Sequence, residues 1–439
     1  MPPSPLWLAS AIAFALPGVL ALAAFDAAPD APGNPPMIED VDVERECRAL
    51  YGRGFTPLTM RGLKPSPRRD RPGKGEVFPE PVTGTCVVRA TDHSREPPEG
   101  FARNDYSRRQ AFNADGSRFL VAARGGAWHL YDTRTLRWLR QLKGPRGDAE
   151  PQWHARDPRM LHYLPNKGGL NLSRLDVESN DGRVVANFRG RLPWPGVARV
   201  WTRGEGSPSA DGRTWCLLAQ DQGGRTLGAF SYDLTEDRIM GTMPLDASPD
   251  SISTSPSGRW CVLSGERADG GTVAWTRDFS RSRQLYEDSE HADLARLPGG
   301  GDAYVWIDQQ GHGELVMMEL DSGKRTILLP TWIGGSATSI HVSGKAFDRP
   351  GWVLVSSFNA KKGSSWLQEQ LLAVQLRTDP KVVRLGFHRS RYKGYWSQPQ
   401  ATVSRDFRRI LFNSNWGGAS EDDVDAYLIR LPEGVPGSG

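Results

Sequence analysis

The stretch "HADLARLPGGGDAYVWIDQQGHGELVMMELDSGKRTILLP", residues 291–330, decides how the chain folds. Four short runs follow one another in it: "HADLARL", "AYVWID", "GELVMMELD" and "KRTILLP". Leu, Val, Ile and aromatic residues fill these runs, and Gly, Asp and Pro separate them. Apolar runs of about 5–8 residues bounded by turn formers read as strands rather than helices. The stretch is therefore a four-stranded antiparallel unit.

The unit recurs. Its first turn and second strand reappear as "FNADGSRFLVAA", "HARDPRMLHYL", "PSADGRTWCLLA", "SPSGRWCVLS", "LPGGGDAYVWI", "FDRPGWVLVSS" and "SRDFRRILFNS". The turns fall near Gly116, Pro158, Gly212, Gly258, Gly300, Gly351 and Phe407, roughly 40 to 55 residues apart, the spacing of propeller blades. The expected fold is all-β: a seven-bladed β-propeller of four-stranded antiparallel blades. Two separate all-β domains are the alternative. The seventh unit runs out after "DAYLIRLP", without an outer strand. "GTCVVRATD", residues 84–92, is expected to supply it and close the ring from the N-terminal side, covering a bare sheet edge.

This divides the chain into residues 1–24, a Pro/Arg/Gly-rich extension at 25–83, the propeller at 84–432, and a flexible tail at 433–439. Leu6 to Phe25 is almost wholly apolar and Ala21-Leu22-Ala23 is a small-x-small site, so the segment reads as a signal peptide. It lacks a basic start and is long enough to be an uncleaved membrane anchor instead. Both readings place the protein in the periplasm or outside the cell. Cys47 and Cys86 then either form a disulfide or remain thiols; Cys216 and Cys261, at matching places in two units, read as small buried hydrophobes.

The composition is globular: 38% hydrophobic, 24% charged, with 15 Trp, 48 Gly and 33 Pro. The net charge of +4 is partly concentrated in "MRGLKPSPRRDRPGKG". A nucleic-acid footprint is therefore not expected, and a single chain is read as a monomer. No G-x-S-x-G elbow, H-E-x-x-H, phosphate loop or dinucleotide fingerprint occurs.

In a propeller, residues entering the innermost strands converge on one mouth of the channel. The candidates in unit order are Asp105 and Tyr106; Trp153 and His154; Trp201, Arg203 and Glu205; Asp250 and Ser253; His291 and Asp293; His341 and Ser343; Gln398 and Gln400. Arg203, Arg108, Arg109 and Arg389 are candidate cations. Trp352, Trp396 and Trp416 either pack between blades or, exposed at the mouth, stack on sugar rings. Candidate ligand-binding residues are His154, Tyr106, Asp293, Trp396 and Gln398. The preferred ligand is an acidic oligosaccharide or a cell-envelope protein.

The phrases "EHADLAR", "HVSGKAFDRPGWVLVSS" and "FHRSRYKGYWSQPQATVSRDFRRILFNSNWG" resemble the oligogalacturonate lyase family and the wider TolB-like propellers, best over residues 285–432. That family cleaves oligouronides by β-elimination, with a His base and a divalent metal, typically manganese, held by His and Gln. The resemblance places His291 on the base and His341 on one metal ligand; of the candidate cations, Arg203 is the one taken as catalytic beside His291. It places Gln398 and Gln400 on a His-Pro-His pair. The sequence reads Gln-Pro-Gln there. Amide oxygens favour harder ions such as calcium over manganese, so the departure weakens the metal and the lyase reading together. A TolB-like interaction scaffold is the remaining alternative.

Overall fold

The computed structural model describes residues 41–439 except 65, 67, 99, 336, 362–364 and 438; the expected signal or anchor segment lies outside them. The opening stretch forms strands Ala292–Arg296, Asp302–Asp308, Glu314–Glu319 and Arg325–Pro330, each antiparallel to the one before. Four further sheets repeat this four-stranded meander. The remaining nine-stranded sheet parts at a single parallel bridge, Asp425 to Ala102. On one side lies blade 1, from Ala102–Arg103 to Trp138–Arg146. On the other lies blade 7, made of Thr402–Val403, Arg409–Ser414 and Asp425–Arg430.

Blade 7 is completed by Cys86–Arg89, which pairs antiparallel with Asp425–Arg430. The predicted N-terminal closing strand is therefore present. It is not the outermost one, because Val77–Pro79 adds a fifth strand beside it. The core is divided by seam. Successive residues of a strand face opposite neighbours: Phe119 and Val121 pack toward blade 7, whereas Leu120 packs toward blade 2. Separate apolar clusters fill each seam in turn, and the one joining Leu411 and Leu428 to Phe112 and Phe119 closes the ring.

The same alternation corrects the reading of Cys216 and Cys261, which form a disulfide rather than packing as free thiols. Gly212 precedes Cys216 by four residues, but Gly258 precedes Cys261 by three. The one-residue difference reverses the side on which the second cysteine projects. Cys216 faces forward, Cys261 faces back, and both enter the seam between blades 3 and 4.

Cys47 and Cys86 form a second disulfide, joining helix Val43–Tyr51 to the closing strand. Asp42 caps this helix by accepting the Arg45 N–H at 3.1 Å, and Glu44 and Glu46 sit in its first turn, where the helix dipole favours acids. The extension is thus docked on blade 7. Beyond the propeller, Val435 is buried in the cluster containing Trp352, so part of the expected flexible tail is packed. No helix among the described residues is long and apolar enough to cross a membrane.

Blade 1 departs from the repeat in a way that shapes the channel. Ala102 and Arg103 pair with Ala123 and Ala122, and the next bridge on that strand is Phe112 to Phe119. Residues 104–111, "NDYSRRQA", leave the ladder between these points. They reach across the ring: the Ser207 hydroxyl of blade 3 donates to Arg108 O at 3.1 Å, Gln110 donates to Lys345 O of blade 6 at 3.3 Å, and Thr402 of blade 7 donates to Arg109 O at 2.6 Å.

Candidate functional site

His291 enters the innermost strand of blade 5, and His341 lies on the innermost strand of blade 6, Ala337–Ser343. Their rings stack at 4.5 Å, and Phe358 stacks on His341 at 4.6 Å with an interplanar angle of 12° and lies 6.3 Å from His291, so the three rings form one cluster. Tyr106, carried by the channel loop, meets His341 edge-on at 5.8 Å. From blade 7, Gln398 approaches His341 at 2.7 Å, and Gln400 Nε2 donates to Gln398 Oε1 at 3.2 Å. His291, His341, Tyr106, Gln398 and Gln400 therefore share one polar centre.

Hydrogen bonding fixes the tautomers. The Gln398 amide oxygen accepts, so His341 Nε2 carries the proton and Nδ1 the lone pair. The Ile340 carbonyl accepts from His291 Nδ1 at 3.0 Å, leaving the His291 lone pair on Nε2. Burial pushes both imidazole pKa values down, assisted by the positive charge of Arg108. Both rings are neutral, and His291 carries its lone pair on Nε2.

Gln400 is fully buried, and its amide oxygen has no hydrogen-bond partner. Its backbone φ is +40°, a left-handed conformation that non-glycine residues seldom adopt. A strained residue aiming an orphaned acceptor into a shared polar centre is a common signature of a ligand site.

Other expected residues go elsewhere. His154 follows the strand Gln152–Trp153 rather than entering it, and its Nδ1 accepts from Arg156 and Asp157 N–H, capping the turn that follows. Asp293 is buried beneath the mouth, bonded to Gly344 N at 2.7 Å and Lys345 Nζ at 3.0 Å, and so ties blade 5 to blade 6. Arg203 turns to Ser248 O and Pro249 O. Arg389 pairs with Glu80 of the extension at 2.7 Å, and Arg109 with Asp105 at 2.6 Å. Trp352 is buried between blades and Trp416 stacks on Tyr427 at 4.8 Å, whereas Trp396 is 37% exposed. Among the described residues, the cation that acts on both histidines is Arg108, whose Nη2 lies 3.5 Å from the carbonyl of Glu290, the residue before His291. The interrupted first strand that delivers Arg108 leaves only a weak trace in the sequence, a run of polar residues where the other units have short strands.

Trp396 belongs to a rim. Phe101 stacks on it at 4.9 Å and the Arg103 guanidinium lies over it at 4.2 Å. Tyr392 and Tyr395 beside it are 50% and 46% exposed. The segment from His388 to Gln400 thus joins an aromatic and basic surface to the buried centre.

No protein-family model matches the chain, and no curated protein sequence does. Solved structures do. The chain shares its fold with oligogalacturonate lyases. The enzyme from Vibrio parahaemolyticus matches over 82% of this chain and 96% of its own, at 15% identity and a TM-score of 0.56. An oligogalacturonate lyase in complex with manganese matches over the same shares, at 16% identity and a TM-score of 0.55. At such identities the likeness establishes the propeller and leaves the chemistry to the residues.

Those residues do not fit the lyase neighbour's manganese. The Gln398 oxygen already receives two hydrogen bonds, from His341 and Gln400, and His341 Nε2 is a donor. One imidazole and two amides make a poor set for a transition metal. Among the described residues, no group of three or more His, Cys, Asp or Glu side chains is placed to hold a metal.

Proposed function

We propose that this propeller binds an acidic oligosaccharide, of the oligouronide class, at the channel mouth where His291, His341, Gln398 and Gln400 meet. The observation that carries this reading is the meeting of neutral imidazoles and an orphaned amide acceptor in one polar centre, built in part by the same segment that bears the aromatic, basic rim. Sugar hydroxyls pair with the amide and imidazole groups. The apolar C–H faces of a pyranose suit Trp396 and Tyr395, and carboxylates suit the arginines. The fold shared with oligogalacturonate lyases supports the ligand class. Two disulfides support an oxidising, extracytoplasmic setting. The deciding experiment is calorimetric titration with galacturonate oligomers and with neutral glucan oligomers of equal length. Binding of the first set alone is expected; no binding of any uronate overturns the reading.

A second reading, β-elimination, is favoured by the lone pair on His291 Nε2 beside Arg108. His291 would remove the C5 proton α to the uronate carboxylate, the guanidinium would face the negative charge developing on that carboxylate, and the C4–O glycosidic bond would break to leave a 4,5 double bond as the leaving oxygen takes up a proton. Ultraviolet absorbance of an unsaturated product tests it. His291→Asn would abolish that signal, and no signal from the wild-type protein excludes the reaction on that substrate.

A further inference from the structure

We propose that Glu205 is a displaceable stand-in for a ligand carboxylate, held on Arg108 until an acidic ligand takes its place. The proposal rests on the oligouronide reading and adds to it a built-in competitor.

Arg108 stands where the inner strand of blade 1 has been opened, among groups from blades 3 and 5. Its Nη1 pairs with Glu205 Oε2 at 2.9 Å, and its Nη2 reaches Glu290 O only at 3.5 Å. A guanidinium has five donors and binds a carboxylate best through two parallel bonds. The single contact with Glu205 leaves that bidentate mode unused. The two partners also differ in position: the Arg108 side chain is 12% exposed and that of Glu205 is 37% exposed. Glu205 is the outer member, so a carboxylate arriving from solvent meets it first.

The ion pair is not what holds the Glu205 loop. Glu150, itself buried, accepts from Thr202 N–H at 3.1 Å, from the Thr202 hydroxyl at 2.7 Å and from Gly204 N–H. Arg109 donates to Gly204 O at 2.8 Å, and Ser207 N–H donates to Ser253 at 3.1 Å. The backbone is pinned on both sides of residue 205. Gly206 cannot carry a Cβ, which would meet Ile252 O at 2.0 Å. Glu205 is thus presented from a fixed backbone, and its side chain rotates out without disturbing the loop. Arg108 Nη2 lies 3.5 Å from the carbonyl of Glu290, next to His291 in the chain, so the position that Glu205 occupies borders the proposed ligand site.

The test is Glu205→Gln, which keeps the side-chain size and removes the competing charge. Wild type and variant are titrated with trigalacturonate and with its carboxyl-reduced neutral counterpart. The variant is expected to bind trigalacturonate at least fivefold more tightly, with no gain for the neutral sugar, and the gain is expected to vanish in Glu205→Gln/Arg108→Gln. Melting curves confirm that each protein is folded. If the wild type binds and Glu205→Gln binds equally or less well, the stand-in is overturned and the oligouronide reading survives. Binding by the variant alone upholds the stand-in and overturns that reading for the resting protein. No binding by either overturns both.

Discussion

His341 donates its Nε2–H to the side-chain oxygen of Gln398 at 2.7 Å, joining blade 6 to blade 7. The same oxygen accepts from Gln400. Purified protein dialysed against manganese is therefore expected to retain well under one equivalent by elemental analysis. Gln398→His/Gln400→His supplies two further imidazoles and removes the acceptor that engages His341. It is expected to raise manganese affinity by at least tenfold, because imidazole is the stronger ligand for such ions. Equal affinity in both proteins refutes the argument from donor chemistry.

The disulfide between Cys216 and Cys261 spans 45 residues of sequence. In the chain-entropy account, a loop of that size constrains the unfolded state by about 4 kcal/mol, and measured values are commonly about 2–4. Cys216→Ser/Cys261→Ser is expected to lower the free energy of unfolding by that amount in urea titrations. A thiol assay on the denatured, unreduced wild-type protein is expected to find no free thiol, since Cys47 and Cys86 are also paired.

The repeat was legible because each blade restates the same physical solution: alternating strands that bury both faces against neighbours. Matched positions in that repeat were enough to bring His291, His341, Gln398 and Gln400 to one list. Three things were not legible at that level. The reversed side of Cys261 depends on one residue in a turn. The channel loop at 104–111 breaks the repeat, so matched positions could not single out Arg108 from the other candidate cations, Arg203, Arg109 and Arg389. His154 was placed one strand end away, because Gln152–Trp153 is short and nothing in its composition marks where the ladder stops.

Acid sensitivity follows from histidines buried as neutral rings. His388 donates Nε2–H to Ser357 O at 2.8 Å and accepts the Ser390 N–H at 3.0 Å, so both nitrogens are used in the neutral form. Burial pushes its pKa down to about 4, with His129 also at about 4 and His162 at about 3. The unfolded chain takes up these protons near pH 6.5, before the folded protein does, so stability is full above that pH and is lost as pH falls toward 4. Glu290, raised to about 7 mainly by burial, works in the opposite sense over part of this window. Burial also pushes His154, His291 and His341 down and raises Glu150, Asp302 and Glu369, so six histidines stand against four carboxylates and acidification costs stability on balance. His388→Gln is expected to flatten the acid limb by at most one proton, about 1.4 kcal/mol per pH unit. Chemical denaturation from pH 7.5 to 4 measures it.

Trp396 is expected to matter for binding more than for folding. It lies at the rim, partly exposed, with Arg103 over its face at 4.2 Å. Trp396→Ala removes a flat apolar surface and a cation–π contact worth about 0.5–2 kcal/mol. Affinity for trigalacturonate is expected to fall roughly 3- to 30-fold by calorimetry, with an unchanged far-ultraviolet circular dichroism spectrum. Retention of full affinity would remove the rim from the proposed site.

Asp425 secures the closure of the ring. It is fully buried on the strand shared by blade 7 and the bridge to blade 1, and it pairs with Arg89 at 2.7 Å and Arg71 at 2.5 Å. The Thr91 hydroxyl and His93 N–H also donate to it, at 2.9 and 3.0 Å. Although burial opposes ionisation, these donors and cations together hold its carboxyl well below the usual range. Asp425→Ala leaves the almost wholly buried Arg89 guanidinium with Asp92, at 3.1 Å, as its remaining carboxylate and with the neutral Pro72 carbonyl at 3.3 Å. Removing one partner of a buried pair costs about 3–5 kcal/mol, far more than the pair contributes relative to an apolar replacement. The variant is expected to lose that much in urea unfolding. It is also expected to expose residues 86–92 to hydrogen exchange before the blade 5 strands, because the closing strand is held by this network and the blade 5 strands are not. A loss under 1 kcal/mol, or uniform exchange across both segments, would show that the closure is carried by backbone pairing and the Cys47–Cys86 bond instead.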